Sequence, residues 1–381
     1  ARSFIEQQAL KTGFAIQLAY RSPAGAFSIA SGRSLRGKAT PSDTFLFGSG
    51  TKPYTAASLF KLVDDGTLSL DAPAAPIIKI ALRKLGTNET LPSLFGPQAA
   101  RVTVGMLLRM QSGIADFDVP SFDDRILKNA SRTYSPLDFL QAIARDPSSA
   151  FVCAPGNCTS YSSTNYILAG LVLLGASDAS TWRALDQAFL LPRSRFPRSR
   201  FPTAGPINQT ATVKGRSAAF SSSPVEIWGQ DVSVLGWTCG NLVAPAEEMS
   251  LFLYSLLVER SVVSDKSLSI MKDAVPLNVG WAKGYISYGA GLMIQQTSRK
   301  PSAYPPRLSD WGAYLGHGGD TYGFLSEQGL LPQLNATFSV IANEDYYMQG
   351  QYVKSTLACH FIELAADEVL GLKLDLDCVH R

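Results

Sequence analysis

The chain has 381 residues, of which 46% are hydrophobic and 17% are charged. Soluble domains carry about 25% charged residues, so this composition excludes intrinsic disorder, which requires few hydrophobic residues and high charge. The 34 basic and 31 acidic residues give a net charge of +3, which is too even a balance for a nucleic-acid-binding protein. The longest apolar run, residues 166–176, is too short for a membrane-spanning helix of about 20 residues.

Helices and strands are predicted from the period of the apolar residues. Helical spacing predicts helices, in chain order, over residues 3–10, 52–64, much of 102–176, 246–258 and 353–370. Strand-like runs occupy residues 14–20, 26–30, 287–294 and 337–342, and a Ser22-Pro-Ala-Gly turn joins the first two into a hairpin. Because the strands lie at both ends of the chain with helices between them, the predicted class is α+β, with one sheet and a helical insertion.

One short repeat lies between these regions. Arg193-Ser-Arg-Phe-Pro recurs at once as Arg198-Ser-Arg-Phe-Pro. Two copies are too few for a solenoid, which requires three or more stacked units. The proline spacing and the arginines predict an extended, solvated surface loop, favoured over a contact with an anionic ligand.

The cysteines and sequons indicate a secretory protein. Cys153 and Cys158 flank an Ala-Pro-Gly-Asn turn, and Cys359 and Cys378 are able to tie the last helix to the C-terminal tail. No second cysteine pair has zinc spacing and no H-E-x-x-H occurs, so two disulfides are favoured over a metal site, with Cys239 unpaired. Asn-x-Ser/Thr sequons, predicted to be glycosylated, occur at Asn88, Asn129, Asn157, Asn208 and Asn335. The chain begins at Ala1 with no apolar leader, so a signal peptide is expected to have been removed.

An S-x-x-K motif occurs at Ser49-Gly-Thr-Lys52, where a strand-like Phe45-Leu-Phe-Gly run leads into a predicted helix. Residues three apart share a helix face, so the Lys52 amine is expected beside the Ser49 hydroxyl. A desolvated lysine can act as the base for a serine nucleophile, and a helix N-terminus favours an oxyanion. The same letters also begin at Ser58 and Ser269, and a helix N-cap is an ordinary role for serine. The four letters alone leave catalysis and capping equally open.

Six ordered segments extend the pattern. They are the Ser49 region with residues 62–73, residues 102–113, Tyr161-Ser-Ser, residues 240–249, Tyr288-Gly-Ala-Gly and Gly316-His-Gly-Gly-Asp. In this order they resemble segments of the β-lactamase-related serine hydrolases, which include class C β-lactamases, DD-peptidases, D-aminopeptidases and esterases of similar fold. The resemblance spans nearly the whole chain.

This resemblance implies a β-lactamase/transpeptidase-like fold. Its antiparallel sheet, flanked by helices, would combine residues 1–75 and 230–381. Residues 76–229 would form the mostly helical inserted domain, with the active site in the cleft between the two.

The resemblance also implies roles for individual residues. Ser49 would be the nucleophile, Lys52 its partner and Tyr161 the group that exchanges protons with the attacking and leaving atoms. The oxyanion hole would be the backbone N–H groups of Ser49 and Asp320, with His317 and Gly319 on the same edge strand. The mechanism requires the Lys52–Tyr161 pair to titrate near neutrality, which predicts that activity rises at about pH 6–8.

Two positions depart from the family pattern. Ser163 stands where the family carries an asparagine that donates to the substrate amide and orients the lysine, and a serine hydroxyl reaches less far. Asp320 stands where a small residue is usual; its carboxylate either points away or favours a cationic substrate.

The sequence therefore predicts a secreted serine hydrolase that cleaves or transfers the acyl group of a small ester or amide through an acyl-enzyme on Ser49. No metal, organic cofactor, nucleic acid or membrane span is expected, and the oligomeric state is left open. A D-amino-acid peptidase or a β-lactamase of the same family is one alternative. A catalytically silent binding protein on the same fold is another.

Overall fold

The protein is described from a computed structural model, which covers residues 1–144, 149–218, 225–298, 303–345 and 353–378. Its strands are β1 (Ile16–Ser22), β2 (Gly25–Ser31), β3 (Arg33–Ser34), β4 (Gly37–Lys38), β5 (Phe45–Leu46), β6 (Gly215–Ser217), β7 (Val225–Ile227), β8 (Val243–Ala244), β9 (Val275–Pro276), β10 (Ser287–Tyr288), β11 (Met293–Gln296), β12 (Ala313–Gly316), β13 (Gly319–Thr321), β14 (Phe324–Leu331) and β15 (Ala336–Ala342). Its helices are α1 (Arg2–Thr12), α2 (Lys52–Asp64), α3 (Ala74–Lys84), α4 (Leu91–Phe95), α5 (Val104–Leu108), α6 (Pro120–Lys128), α7 (Pro136–Ala144), α8 (Thr164–Ala176), α9 (Ala246–Leu257), α10 (Asp265–Lys272) and α11 (Val353–Leu370).

The main sheet is built from both ends of the chain. Its strand order is β2-β1-β15-β14-β12-β11-β10-β9, and β13 pairs with β14 beside this path. All of these pairs are antiparallel. The N-terminal hairpin thus joins the C-terminal strands, as the sequence predicts.

Alternation along β1 separates the two faces of the sheet. Ile16 and Leu18 pack on one face with α1 and α11, whereas Ala19 belongs to the larger core on the other face. Gln17, which lies between Ile16 and Leu18 in the chain, is buried, and its side-chain oxygen accepts a hydrogen bond from the Ala246 backbone N–H at the start of α9. The helices therefore cover both faces of the sheet.

The apolar run at residues 166–176 lies in α8, which is buried along most of its length and packs against α2, α3 and α5. Within the described residues, no helix combines the length and the apolar character needed to cross a bilayer. The predicted division into two domains stays a proposal, and its boundary at residue 75 falls inside α3, which begins at Ala74.

Two predictions of local structure need correction. Residues 287–294 form not one strand but the hairpin of β10 and β11, because Gly291 turns the chain at φ 79° and the Gly289 N–H donates to the Leu292 carbonyl. The arginine repeat is only partly a solvated loop. Ser199 is buried there, and its backbone N–H and hydroxyl donate to the Glu248 carboxylate at 2.7 and 2.6 Å.

Candidate active site

Ser49 lies in a 3₁₀ turn, Gly48–Thr51, that leads directly into α2. Gly48 has φ 51°, and a Cβ added there would lie 2.6 Å from the Asp320 carbonyl oxygen, so both conformation and space require glycine. The Ser49 side chain makes no capping bond to the helix. The N-cap alternative for Ser49 is therefore wrong.

The Lys52 ammonium is held by three acceptors. Lys52 is fully buried, and its Nζ donates to Ser49 Oγ at 2.7 Å, to the Cys239 carbonyl at 3.1 Å and to Ser163 Oγ at 3.3 Å. The first contact follows from the spacing of three along the chain. The other two come from distant segments, so the tertiary fold fixes the direction in which the amine points.

Tyr161 reaches the same hydroxyl from the other side. Its Oη donates to Ser49 Oγ at 2.9 Å, and Lys52 Nζ lies 5.2 Å from the centre of its ring. The ring is packed edge-on against Tyr288, with centroids 5.9 Å apart, and contacts Trp281 at 5.1 Å. Ser49, Lys52 and Tyr161 thus meet at one oxygen atom.

The three groups perturb one another's protonation. Burial lowers the pKa of Lys52, but the opposing influence of Tyr161, then Cys239 and Asp116, leaves that pKa above its ordinary value. Burial raises the pKa of Tyr161 by more than Lys52 and the bond to Ser49 lower it. The two groups therefore titrate as a coupled pair, and both directions delay the loss of its proton to alkaline pH. The expectation that this pair titrates near pH 6–8 does not fit these directions.

Sequence reasoning missed Asp116, which lies behind this group. Its Oδ1 accepts the Ser163 backbone N–H at 2.9 Å, and its charge stabilises the Lys52 ammonium. Burial raises the pKa of Asp116, against the influence of these donors. None of the six matched segments contains Asp116. The residue lies three positions after Gly113, where one of these segments ends, and this proximity is the signal that could have identified it.

His317 is fully buried on the loop between β12 and β13, with its ring centroid 6.1 Å from that of Tyr161. Its Nδ1 lies 2.7 Å from the Gly318 carbonyl, so Nδ1 carries the proton and Nε2 accepts from the Tyr288 hydroxyl at 3.2 Å. Burial, reinforced by the Lys52 charge, lowers the pKa of His317 to about 3. The imidazole is therefore neutral, and it holds the loop in place rather than acting as a base.

Gly319 and Asp320 form the strand that flanks the Ser49 turn. β13 pairs with β14 on one edge and packs against residues 48–51 on the other. A Cβ added to Gly319 would lie 2.1 Å from the Phe47 carbonyl oxygen, so glycine permits this close approach. The strand lies where an oxyanion donor would be needed, and the assignment of the Ser49 and Asp320 N–H groups stays a prediction.

Ser49, Asp116, Tyr161, Gly319 and Asp320 line a cavity of about 480 Å³. The lining comes from the loop before α6, from α6 itself, from Tyr161, from β11 and β13, and from the Cys239-Gly240 turn. Trp281, which no motif predicted, stands at its mouth with 58% of its surface exposed.

The cysteines pair as predicted. Disulfides join Cys153 to Cys158 and Cys359 to Cys378, and Cys239 is free and buried in the cavity wall. Burial raises the pKa of the Cys239 thiol to about 12, against the influence of Lys52. Cys239 is therefore an inert thiol whose carbonyl, not its sulfur, contacts Lys52.

One protein family and one bacterial protein resemble this chain in sequence. The model of the Beta-lactamase family matches residues 6–358. Protein flp of Staphylococcus aureus (strain COL) is 29% identical over 156 residues, which make up 41% of this chain and 28% of that protein. The chain thus matches less than a third of the length of this curated relative.

Solved structures share the fold. A D-stereospecific amidohydrolase from Streptomyces sp. aligns with a TM-score of 0.71 at 20% identity, over 97% of this chain and 98% of its own. A D-amino acid amidase from Ochrobactrum anthropi SV3 complexed with D-phenylalanine aligns at 0.70 and 20% over 97% of both chains. The octameric penicillin-binding protein homologue from Pyrococcus abyssi aligns at 0.70 and 22%, over 95% of this chain and 76% of its own.

These identities establish the fold alone, and the predicted α+β, β-lactamase/transpeptidase-like architecture is confirmed. The family model covers nearly the whole chain, which confirms the family resemblance inferred from the motifs. By sequence, the chain belongs to the Beta-lactamase family.

Proposed function

We propose that this protein is a serine hydrolase that cleaves, or transfers, the acyl group of a small ester or amide through an acyl-enzyme on Ser49. The observation that carries the proposal is the convergence of Lys52 Nζ and Tyr161 Oη on Ser49 Oγ, at 2.7 and 2.9 Å, in the wall of a cavity. A hydroxyl with two proton-exchanging neighbours is the arrangement that nucleophilic catalysis requires.

The proposed reaction proceeds by two acyl transfers. Once the Lys52–Tyr161 pair has lost a proton, it accepts the Ser49 proton while Oγ bonds to the substrate carbonyl carbon. The oxyanion would be held by the N–H groups of Ser49 and Asp320. The pair returns the proton to the leaving group as that bond breaks, and water or another acceptor then takes the acyl group by the same steps in reverse order.

Ser163 favours esters over amides. Its hydroxyl lies 3.3 Å from Lys52 Nζ and is committed to that contact, so it reaches less far toward a substrate amide than an asparagine side chain. A D-amino acid amidase is the second candidate, because a D-stereospecific amidohydrolase and a D-amino acid amidase share the fold. A peptidase, a β-lactamase and a silent binding protein remain alternatives.

Labelling with a neutral fluorophosphonate tests the proposal. We expect the wild-type protein to react and Ser49→Ala to be unreactive, because the reagent phosphonylates only an activated serine. Ser58→Ala is the matched control, since Ser58 begins a chance S-x-x-K and is buried in α2. Labelling that persists in Ser49→Ala, or a wild-type protein that never labels, contradicts the proposal; the second result favours a silent binding protein.

We propose further that the protein passes through the secretory pathway and is glycosylated. Two disulfides fit an oxidising compartment. All five sequon asparagines are exposed, as glycan attachment requires: Asn88, Asn129, Asn157, Asn208 and Asn335. Expression in a eukaryotic secretory host, followed by endoglycosidase treatment, should lower the mass of the protein; an unchanged mass contradicts the glycosylation proposal.

A further inference from the structure

Carboxylates are frequent among the side chains that line the cavity containing Ser49. Several segments contribute them, and the residues are Asp116, Asp118, Asp123, Asp320 and Asp345. Among the described lining residues, Lys354 is the one cation. Lys52 is fully buried and is not one of the lining residues. The open space in front of the nucleophile is therefore negative in character.

Three of these carboxylates are occupied by donors of the protein itself. Asp116 accepts the Ser163 N–H, Asp123 accepts the Tyr322 hydroxyl, and Asp345 accepts the N–H groups of Ala218 and Gly323. A carboxylate with such donors has a structural role that needs no ligand.

Asp118 and Asp320 differ from the other three. Within the described ranges, neither side chain accepts a hydrogen bond or forms an ion pair. Each keeps an exposed surface although protein surrounds it, as expected for a group that faces into a cleft. Asp118 lies in the loop before α6, two residues after Asp116, and Asp320 lies on β13 against the Ser49 turn. The two therefore reach the cavity from unrelated parts of the chain.

Their environment opposes negative charge. Burial in the cleft, then Asp116, Asp123 and Asp320, raises the pKa of Asp118 to about 7 against the influence of Lys52. Burial, with Asp345 and Asp123, raises the pKa of Asp320 to about 6 against the influence of Lys354. A bound cation would remove this repulsion.

The spread of the carboxylates favours an organic cation over a metal ion. Among the described residues, the one group of three ligand atoms within 4.8 Å of each other is His360, Glu363 and Cys378, and Cys378 belongs to a disulfide. No three of the described cavity aspartates therefore place carboxylate oxygens within 4.8 Å of one another. The exposed indole of Trp281 in the same cavity adds an aromatic face, which attracts alkylammonium groups.

We infer that the cleft takes an acyl substrate carrying a positively charged organic group, an ammonium or a guanidinium, and that Asp118 and Asp320 hold this group beside Ser49. The inference rests on the proposed function and adds the class of substrate. It also implies that substrates ending in a carboxylate, such as the penicillins, are disfavoured by charge repulsion.

Three para-nitrophenyl esters of equal acyl length test the inference. Their chains end in trimethylammonium, in its uncharged tert-butyl isostere or in carboxylate. We expect kcat/KM to be on the order of tenfold higher for the cationic ester than for the tert-butyl ester, as for one pair of unlike charges in a partly screened cleft, and lowest for the anionic ester.

Asn variants identify the residues responsible. Asp118→Asn and Asp320→Asn should each reduce the ratio of the cationic to the tert-butyl rate, and the double variant should bring it close to one. Asp124→Asn is the matched control, because Asp124 is an exposed residue of α6 outside the cavity, and the ratio should stay unchanged. The same ratio is measured a second way, as the rate at which fluorophosphonates bearing either terminus label Ser49.

The outcomes separate the two proposals. Equal rates for both termini in the wild-type protein, or a ratio that survives in the double variant, overturn the cation inference while Ser49 labelling leaves the proposed function standing. Absence of all Ser49 labelling overturns the proposed function and the inference together.

Discussion

Around Ser49 the polar side chains satisfy one another, whereas Asp118 and Asp320, which line the same cavity, have no partner within the described residues. Lys52 has all three of its donors engaged and no exposed surface, while both aspartates are exposed to the cavity. The contrast separates two tasks. Groups that transfer protons must be held in a fixed geometry before the substrate arrives, and groups that recognise a substrate must keep their bonding capacity for it.

The largest expected effect comes from removing the buried ammonium. Lys52→Met retains most of the side-chain volume but leaves Ser49 without its closest partner, so ester turnover should fall by about a thousandfold or more. The measurement is kcat/KM on the tert-butyl ester, with thermal unfolding to verify that the variant is folded.

Ser163→Ala sharpens this test as a matched control. It removes the longest of the three Lys52 contacts and leaves those to Ser49 and Cys239, so its loss should be at least tenfold smaller than that of Lys52→Met. Comparable losses in the two variants contradict a direct role for the amine.

The pH profile tests the role of the Lys52–Tyr161 pair. Because the pKa values of both Lys52 and Tyr161 lie above their ordinary values, loss of the pair's proton is displaced to alkaline pH, and activity should still increase with pH beyond neutrality. The sign is fixed: a raised pKa moves the rise in activity to higher pH. His317→Ala should lower the rate without moving this limb, since His317 is neutral and points toward Tyr288. A limb that disappears or shifts by more than a unit in His317→Ala identifies histidine as the base instead.

Much of the fold and the nucleophile region could be predicted from local sequence. The helices Lys52–Asp64 and Val353–Leu370 have the predicted bounds, because apolar spacing, a following Gly66 or Gly371 and the motif order all agree. The Ser49–Lys52 contact follows from helix geometry. The single strand predicted over residues 287–294 was wrong, because its glycines turn the strand-like run into a hairpin.

The carboxylate lining of the cavity could not be predicted in the same way. Asp118, Asp123, Asp320 and Asp345 come from separate segments that meet only in the tertiary structure, and no periodicity links them. The sequence places Asp320 in a motif but leaves two alternatives for its carboxylate, which either points away or favours a cationic substrate. The missing information was which carboxylates the protein's own donors already occupy.

The most direct measurement of the central claim is the site of the covalent intermediate. The protein is mixed with a slowly deacylating ester, quenched with acid within the first turnover, digested and mapped by mass spectrometry. We expect one acyl adduct, on Ser49, that is absent from Ser49→Ala and still present in Ser58→Ala. An adduct on Tyr161, on Cys239 or on another serine would contradict it.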